Sequence, residues 1–318
     1  MKLSVIVKKY LKNTSNDFKS QNMEKNMKHI GLVLSGGMGK GAYQVGALSA
    51  IKEFFNPSDF EYVSAASIGT LNAYAFLTNN LGKAKNIWEN VNLQGNKRFI
   101  TSVLKSNFLQ EIIEGLVVDT KIENTFYVPL LDLQSRDLQY YDFSSISPLD
   151  IKHYLSASVA MPFYNKGVKI CEKSLYDGAV VDNIPIYPVL KEDLDYVICI
   201  YFDDVNYIFE NFDSDNKVIR LTFSDNKIIS NSVCIRHDSI VHMINEGYCR
   251  SKEILSFIFS NGINDLDFIH NKIAEINHSN SKNRASRITG DVIVTNLNKL
   301  TKKVIRHDKT VEGGNSYE

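Results

Sequence analysis

Apolar residues in this chain gather in short unbroken runs separated by glycine-rich or polar turns, and the first clear run starts at Ile30. Residues 30–35 (Ile-Gly-Leu-Val-Leu-Ser) read as a strand buried on both faces, because a half-exposed strand would alternate apolar and polar positions. A cluster of glycines follows at once, then a helix-like stretch over 42–55. Residues 60–66 read as a second strand, ending in Ser67-Ile68-Gly69 and a helix to about residue 78. Strand, glycine-rich turn, helix, strand, tight turn, helix is the opening of a parallel α/β sheet. Further along, 195–202 and 217–223 repeat the buried-strand pattern, and 166–170 and 174–176 read as short strands leading into a turn at Asp177-Gly178. Helices are expected over 83–89, over 148–158 with Ser147 as N-cap and an end by Pro162, over 239–259 and, with weaker periodicity, over 286–300. The rest of 82–150 has poor periodicity and predicts no further element. The tail from about residue 307 is polar and is expected to fray. This divides the chain into a loosely held arm over 1–28, a core over 29–205, and a C-terminal strand and helices over 206–318 that pack on the core.

The 318 residues, 44% of them hydrophobic, suffice for a sizeable core. Formal net charge is zero, which removes any global electrostatic case for nucleic acid. The average hides an asymmetry: residues 1–28 hold seven Lys against only Asp17 and Glu24. Cys171, Cys199, Cys234 and Cys249 form no C-x-x-C pair and have no zinc-ligand spacing, so no metal or disulfide framework is expected. Cys199 lies inside the apolar run 196–202, where a buried free thiol is expected. The N-terminal apolar run is interrupted by Lys8 and Lys9 and does not read as a signal peptide. No stretch approaches the roughly 18 apolar residues of a membrane span. A soluble, cytoplasmic protein is the default expectation, with export by a route lacking an N-terminal signal left open.

Three features could carry chemistry. Ala65-Ala66-Ser67-Ile68-Gly69 places a serine on a sharp strand-to-helix bend, with the small neighbours such a bend needs; Ser67 as a plain helix cap is the competing reading. Ser35-Gly36-Gly37-Met38-Gly39-Lys40-Gly41 also joins strand to helix, and its N–H groups can converge on an anion. A phosphate-binding Walker loop lacks its first Gly, where Leu34 stands, and its Ser/Thr, where Gly41 stands. A dinucleotide fingerprint lacks an acidic residue at the end of the second strand. An oxyanion hole remains. The third feature, Asp177-Gly178-Ala179 followed by Asp182-Asn183-Ile184-Pro185, is by itself an ordinary turn.

Together these blocks, with Ala157-Ser158-Val159-Ala160-Met161-Pro162, resemble the patatin-like phospholipase family in order and spacing over roughly residues 29–205. The resemblance implies a three-layer α/β/α fold with a mainly parallel central sheet and a Ser–Asp dyad without histidine. It implies Ser67 as nucleophile, Asp177 as base, and Gly36, Gly37 and Met38 as oxyanion donors, supported by Gly39, Lys40, Gly41, Gly69 and Gly178. It implies a lipid ester substrate, no cofactor and no calcium requirement. Three positions depart from the family pattern: Met38 for a third Gly, where a positive φ would be strained; Ala65 for the first elbow Gly; and Ala179 for the second Gly after Asp177.

The rival hydrolase reading is a Ser–His–Asp triad using His237 or His242, which the chain order permits. The rival class is a lipid-binding or regulatory protein of the same fold with little turnover. Residues 1–12 set Leu3, Ile6, Val7, Tyr10 and Leu11 on one helical face beside four lysines. That pattern suits peripheral contact with anionic lipid, against a plain basic arm.

Overall fold

The computed structural model describes residues 28–90, 108–203, 205–211, 215–223, 237–279 and 284–312. The peripheral-contact expectation for residues 1–12 lies outside them. The first apolar runs form β1 (Ile30–Leu34) and β2 (Phe60–Ala65), joined by helix α1 (Gly41–Ile51). Helices α2 (Ile68–Leu77), α3 (Leu81–Asn90) and α4 (Phe108–Leu116) follow, then a hairpin of β3 (Thr125–Asp132) and β4 (Asp137–Asp142). Next come α5 (Ile151–Ser158), a second hairpin of β5 (Val168–Ile170) and β6 (Lys173–Asp177), and the short α6 (Tyr187–Leu190). The chain continues through β7 (Tyr196–Tyr201), β8 (Asn206–Phe209) and β9 (Val218–Thr222). It ends with α7 (His237–Ile258), α8 (Leu266–Ser279), β10 (Arg284–Arg287) and α9 (Thr289–Glu312).

Strands β3, β2, β1, β7 and β9 lie side by side and parallel, and the two hairpins add β4, β6 and β5 antiparallel. The parallel strands β1, β7 and β9 are buried on both faces, as their unbroken apolar runs require, while the hairpin strands β4 and β5 are partly exposed. On β1, Ile30, Leu32 and Leu34 join the core under α1, α2 and α7, while Val33 joins a second core. On β7, Tyr196, Ile198 and Ile200 face the first core, and Val197, Cys199 and Tyr201 face the second, which includes Ile184, Ile186 and Val189. The predicted three-layer, mainly parallel α/β/α fold is the observed one. Where α1 crosses α7 the backbones touch. A Cβ at Gly46 would lie 2.0 Å from the Ile244 carbonyl oxygen, and one at Gly247 would lie 2.2 Å from that of Tyr43.

The register around β3 decides where the site forms. β4 takes one edge of β3 from Tyr127 to Asp132. The other edge is shared: β2 pairs Thr125–Tyr127, and β6 pairs Leu130–Asp132. The gap between them falls on Val128 and Pro129, and Pro129 has no N–H to give a neighbour there. Ser64 stands opposite Tyr127, and Asp177 stands opposite Leu130, three residues on. Ser67 is likewise three residues beyond Ser64, so the chain leaving β2 meets the end of β6 along one edge.

Several expectations shift. The α5 helix begins at Ile151 rather than 148; the Ser147 hydroxyl accepts from the Asp150 N–H at 3.3 Å and so caps the turn before it. The helix expected over 286–300 is Thr289–Glu312, because residues 284–287 pair with β8 as a separate parallel ribbon. The tail expected to fray from 307 is therefore helical to Glu312. Cys199 is buried, and desolvation pushes its thiol up to about 12; Cys171 and Cys249 are exposed, and Cys234 lies outside the described residues. Among the described residues no helix is long and apolar enough to cross a membrane.

Candidate active site

The C-terminal ends of β1 and β2 form the crevice where open α/β sheets bind ligands. Ser67 is the first residue past β2, half-buried, with φ 54° and ψ −131°. A non-glycine residue held there stores on the order of 1–3 kcal/mol of strain. The bend is tight because α2 starts against the end of β1: the Ala66 N–H donates to the Leu34 carbonyl at 3.1 Å. A Cβ at Gly69 would come within 2.6 Å of the Ser35 carbonyl oxygen. The Ser67 side chain makes no capping bond to α2, so the helix-cap reading is not supported.

The glycine-rich loop lies against this bend. A Cβ at Gly36 would stand 2.5 Å from Asn183 Oδ1, 3.0 Å from Ser67 Cβ and 3.2 Å from Ala179 Cβ. One glycine thus touches the serine bend and the turn after Asp177 together. The Gly36 N–H donates to the Asn183 carbonyl at 3.1 Å. In this structure that bond occupies the Gly36 N–H. The N–H groups of Gly37 and Met38 have no acceptor among the described residues. Met38 takes φ 50°, the strained left-handed conformation expected at that position. A Cβ at Gly37 would strike the Phe202 ring at 2.4 Å, and Lys40 Nζ stands 5.9 Å from the centre of the same ring. Gly39 is buried in the helical turn Met38–Lys40. Gly41 opens α1, where a Cβ would press on Ile68 and Trp88 at 2.8 Å.

Asp177 ends β6, fully buried. Its N–H donates to the Ala160 carbonyl at 2.9 Å, and Oδ1 accepts the Ala179 N–H at 2.9 Å. Gly178 is required beside it, because a Cβ would lie 2.4 Å from the Pro129 carbonyl oxygen. Burial pushes the Asp177 carboxyl up to about 7, against the Ser67 hydroxyl and the Ala179 N–H, which both favour the charged form. Oδ2 itself has no hydrogen-bond partner of ordinary geometry.

Neither histidine of the rival triad is engaged here. His242 is exposed on α7 and faces Glu246 at 3.9 Å, and the His237 ring bonds the Glu89 carbonyl at 2.6 Å.

The model of the family described as patatin-like phospholipase matches residues 32–190, half of the chain. The chain belongs to the patatin-like phospholipase family. No curated protein matches it. Among solved structures it is similar to VipD from Legionella pneumophila, at 12% identity and a TM-score of 0.44, covering 96% of this chain and 82% of that one. It is also similar to the ExoU–SpcU complex from the type III secretion system of Pseudomonas aeruginosa, at 12% identity and a TM-score of 0.35, covering 80% and 58%.

Two supports of this patatin-like site escaped the sequence reading. The first is a buried amide network in which Gln44 Nε2 donates to the Ser35 carbonyl at 2.7 Å and Oε1 accepts from Asn72 at 2.9 Å. Asn72 also donates to the Gly41 carbonyl at 3.0 Å and accepts from Trp88 Nε1 at 3.1 Å. Both ends of the glycine-rich loop are thereby pinned to α1, α2 and α3. The signal was present, since Gln44 and Asn72 are lone amides within otherwise apolar helices. The second support is Asp182, fully buried, which accepts from Tyr140 at 2.5 Å and pairs with Arg287 at 3.3 Å. Burial pushes its carboxyl up to about 6, with Tyr140 and Arg287 pulling the other way. Asn296 of α9 adds a 2.7 Å bond to the Val181 carbonyl. The turn after Asp177 is held from the C-terminal end of the chain, outside the family-matched residues.

Proposed function

We propose that this protein is a serine acyl hydrolase of lipid esters, phospholipids among them, working through Ser67 and Asp177. The observation that supports this best is the pairing of a serine in strained backbone geometry, its hydroxyl not spent on a helix cap, with a fully buried carboxylate whose pKa is raised to about 7. Such a base is half-ionised near neutral pH, where general-base catalysis is most effective. Asp177 Oδ2 takes the Ser67 proton as Oγ attacks the ester carbonyl. The N–H groups of Gly37 and Met38 receive the negative charge on the carbonyl oxygen. Collapse expels the alcohol, which takes the proton from Asp177 and leaves the acyl group on Ser67. Water then attacks the acyl-enzyme, giving its proton to Asp177, and the acid departs as Oγ is reprotonated.

The alternative of a lipid-binding protein with little turnover rests on Met38, whose side chain occupies a strained position in the donor loop. Hydrolysis of a short p-nitrophenyl ester and a fluorogenic phospholipid separates these readings. Wild type and His242→Ala should turn over alike, while Ser67→Ala and Asp177→Asn should each lose about 10³-fold or more in kcat. Activity that survives Ser67→Ala would overturn the mechanism.

A further inference from the structure

The turn after α5 carries two aromatic rings into solvent. Phe163 is 47% and Tyr164 46% exposed. Phe163 holds φ 69°, a conformation a bulky side chain adopts only when its surroundings impose it. The turn imposes it from within. The Met161 carbonyl accepts from the N–H groups of Tyr164 and Asn165 at 3.3 and 3.0 Å, and Asn165 Oδ1 accepts the Met161 N–H at 3.0 Å. The rings are thus presented by a self-bonded turn.

That turn is tied to the candidate active site, because the carbonyl of Ala160 accepts the Asp177 N–H at 2.9 Å. The β5–β6 hairpin continues the same rim. Val168 pairs with Leu175 and Ile170 with Lys173, and β6 runs antiparallel to β3. The hairpin tip therefore projects past Asp177 on the side toward which β1 and β2 point their C-terminal ends. Lys166, Lys169 and Lys173 are exposed along this stretch, with Glu172 as its one opposing charge. Two outward rings flanked by an excess of lysine fit an interface that is apolar within and negatively charged at its surface.

We propose that this rim seats the protein on an anionic lipid bilayer, with Phe163 and Tyr164 entering the boundary between headgroups and acyl chains and the three lysines meeting anionic headgroups. The proposal rests on the lipid hydrolase reading for its purpose, since it sets the mouth of the site against the substrate phase. The binding itself requires no turnover.

The test is co-sedimentation of the full chain with vesicles of phosphatidylcholine, with and without phosphatidylserine, alongside hydrolysis of a soluble short-chain ester. Wild type should bind the phosphatidylserine vesicles more tightly, and added salt should weaken that preference. Phe163→Ser/Tyr164→Ser and Lys166→Glu/Lys169→Glu/Lys173→Glu should each weaken binding by about tenfold or more. Both should keep wild-type hydrolysis of the soluble ester. The lysine variant touches only exposed side chains, so it decides the matter even if the aromatic variant misfolds. Equal binding to both vesicle types, or binding unchanged in the lysine variant, overturns the proposal. So does binding that only deletion of residues 1–27 removes. Rim-dependent binding by a protein with no esterase activity would leave this surface standing and remove the hydrolase reading.

Discussion

Gly36 gives its N–H to the main-chain carbonyl of Asn183 at 3.1 Å, which ties the glycine-rich loop to the turn that carries Asp177. The bond holds together two segments that the proposed Ser67–Asp177 mechanism needs at close quarters. It also occupies the Gly36 N–H, and the proposed mechanism therefore assigns the developing charge to the N–H groups of Gly37 and Met38. Asn183 Nδ2 approaches the Gly36 carbonyl from the other side at 3.4 Å.

A side chain at Gly36 should part these segments. In Gly36→Ala the new Cβ would meet Asn183 Oδ1 at 2.5 Å and Ser67 Cβ at 3.0 Å. The expected outcome is a folded protein by circular dichroism with kcat reduced about 100-fold, the cost of a shift near 1 Å at reacting groups. An unchanged kcat would show that the loop yields without moving Ser67.

The pH profile follows from the buried base. On the proposed mechanism Asp177 acts only when ionised, so kcat should climb as pH rises through about 7 and level off above it. Its carboxyl binds a proton more tightly folded than at its ordinary value of 3.8. Its contribution to stability is therefore complete below that value and is lost as pH rises through about 7. Asp177→Asn keeps an acceptor for the Ala179 N–H and removes the buried charge. It should be more stable than wild type on the alkaline side by on the order of a few kcal/mol, with the gain gone at acid pH. Urea midpoints of the two proteins across pH check this. A rate that is flat between pH 5 and 8, a window about one unit or more either side of that pKa, would count against Asp177 as base.

Met38→Gly should relieve a left-handed residue. A side chain at φ 50° costs about 1–2 kcal/mol, offset by about 0.5–1 kcal/mol of extra chain entropy in glycine. The net expectation is a gain of up to about 1.5 kcal/mol in thermal unfolding, together with faster ester hydrolysis. Greater stability without any turnover would favour the lipid-binding reading.

Arg287→Met would leave the buried Asp182 carboxyl without its cationic partner, with the Tyr140 hydroxyl and the Ile184 N–H still bonded to it. Breaking a buried pair from one side costs about 3–5 kcal/mol, and the turn after Asp177 should loosen, lowering kcat as well. Adding Asp182→Asn removes the orphaned charge and should restore part of the stability. Equal urea midpoints for wild type and Arg287→Met would mean that the pair contributes nothing.

Much of the fold was legible because its signals are local. The runs 30–35, 60–66, 195–202 and 217–223 are apolar without alternation, a pattern only a sheet covered on both faces accommodates. The β3–β4 hairpin was not legible, since Pro129 argues against a strand within the sheet. It is tolerated because its missing N–H falls in the gap where β2 has left β3 and β6 has not yet joined. The C-terminal helix was read too short, because residues 284–287 are claimed by pairing with β8, a long-range choice.

The candidate site divides the same way. The sequence by itself determined a serine on a strand-to-helix bend, a glycine-rich loop before it, and an Asp-Gly turn, since bends and glycine clusters are properties of a few neighbouring residues. Tertiary structure alone decided that Asp177 meets the chain leaving β2 on a shared edge of β3, and that burial raises its pKa. It alone bonded the Gly36 N–H to a residue 147 positions away and brought Arg287 to Asp182 across 105. Hydrogen bonds and desolvation depend on which groups are adjacent in space, and no local pattern encodes that adjacency.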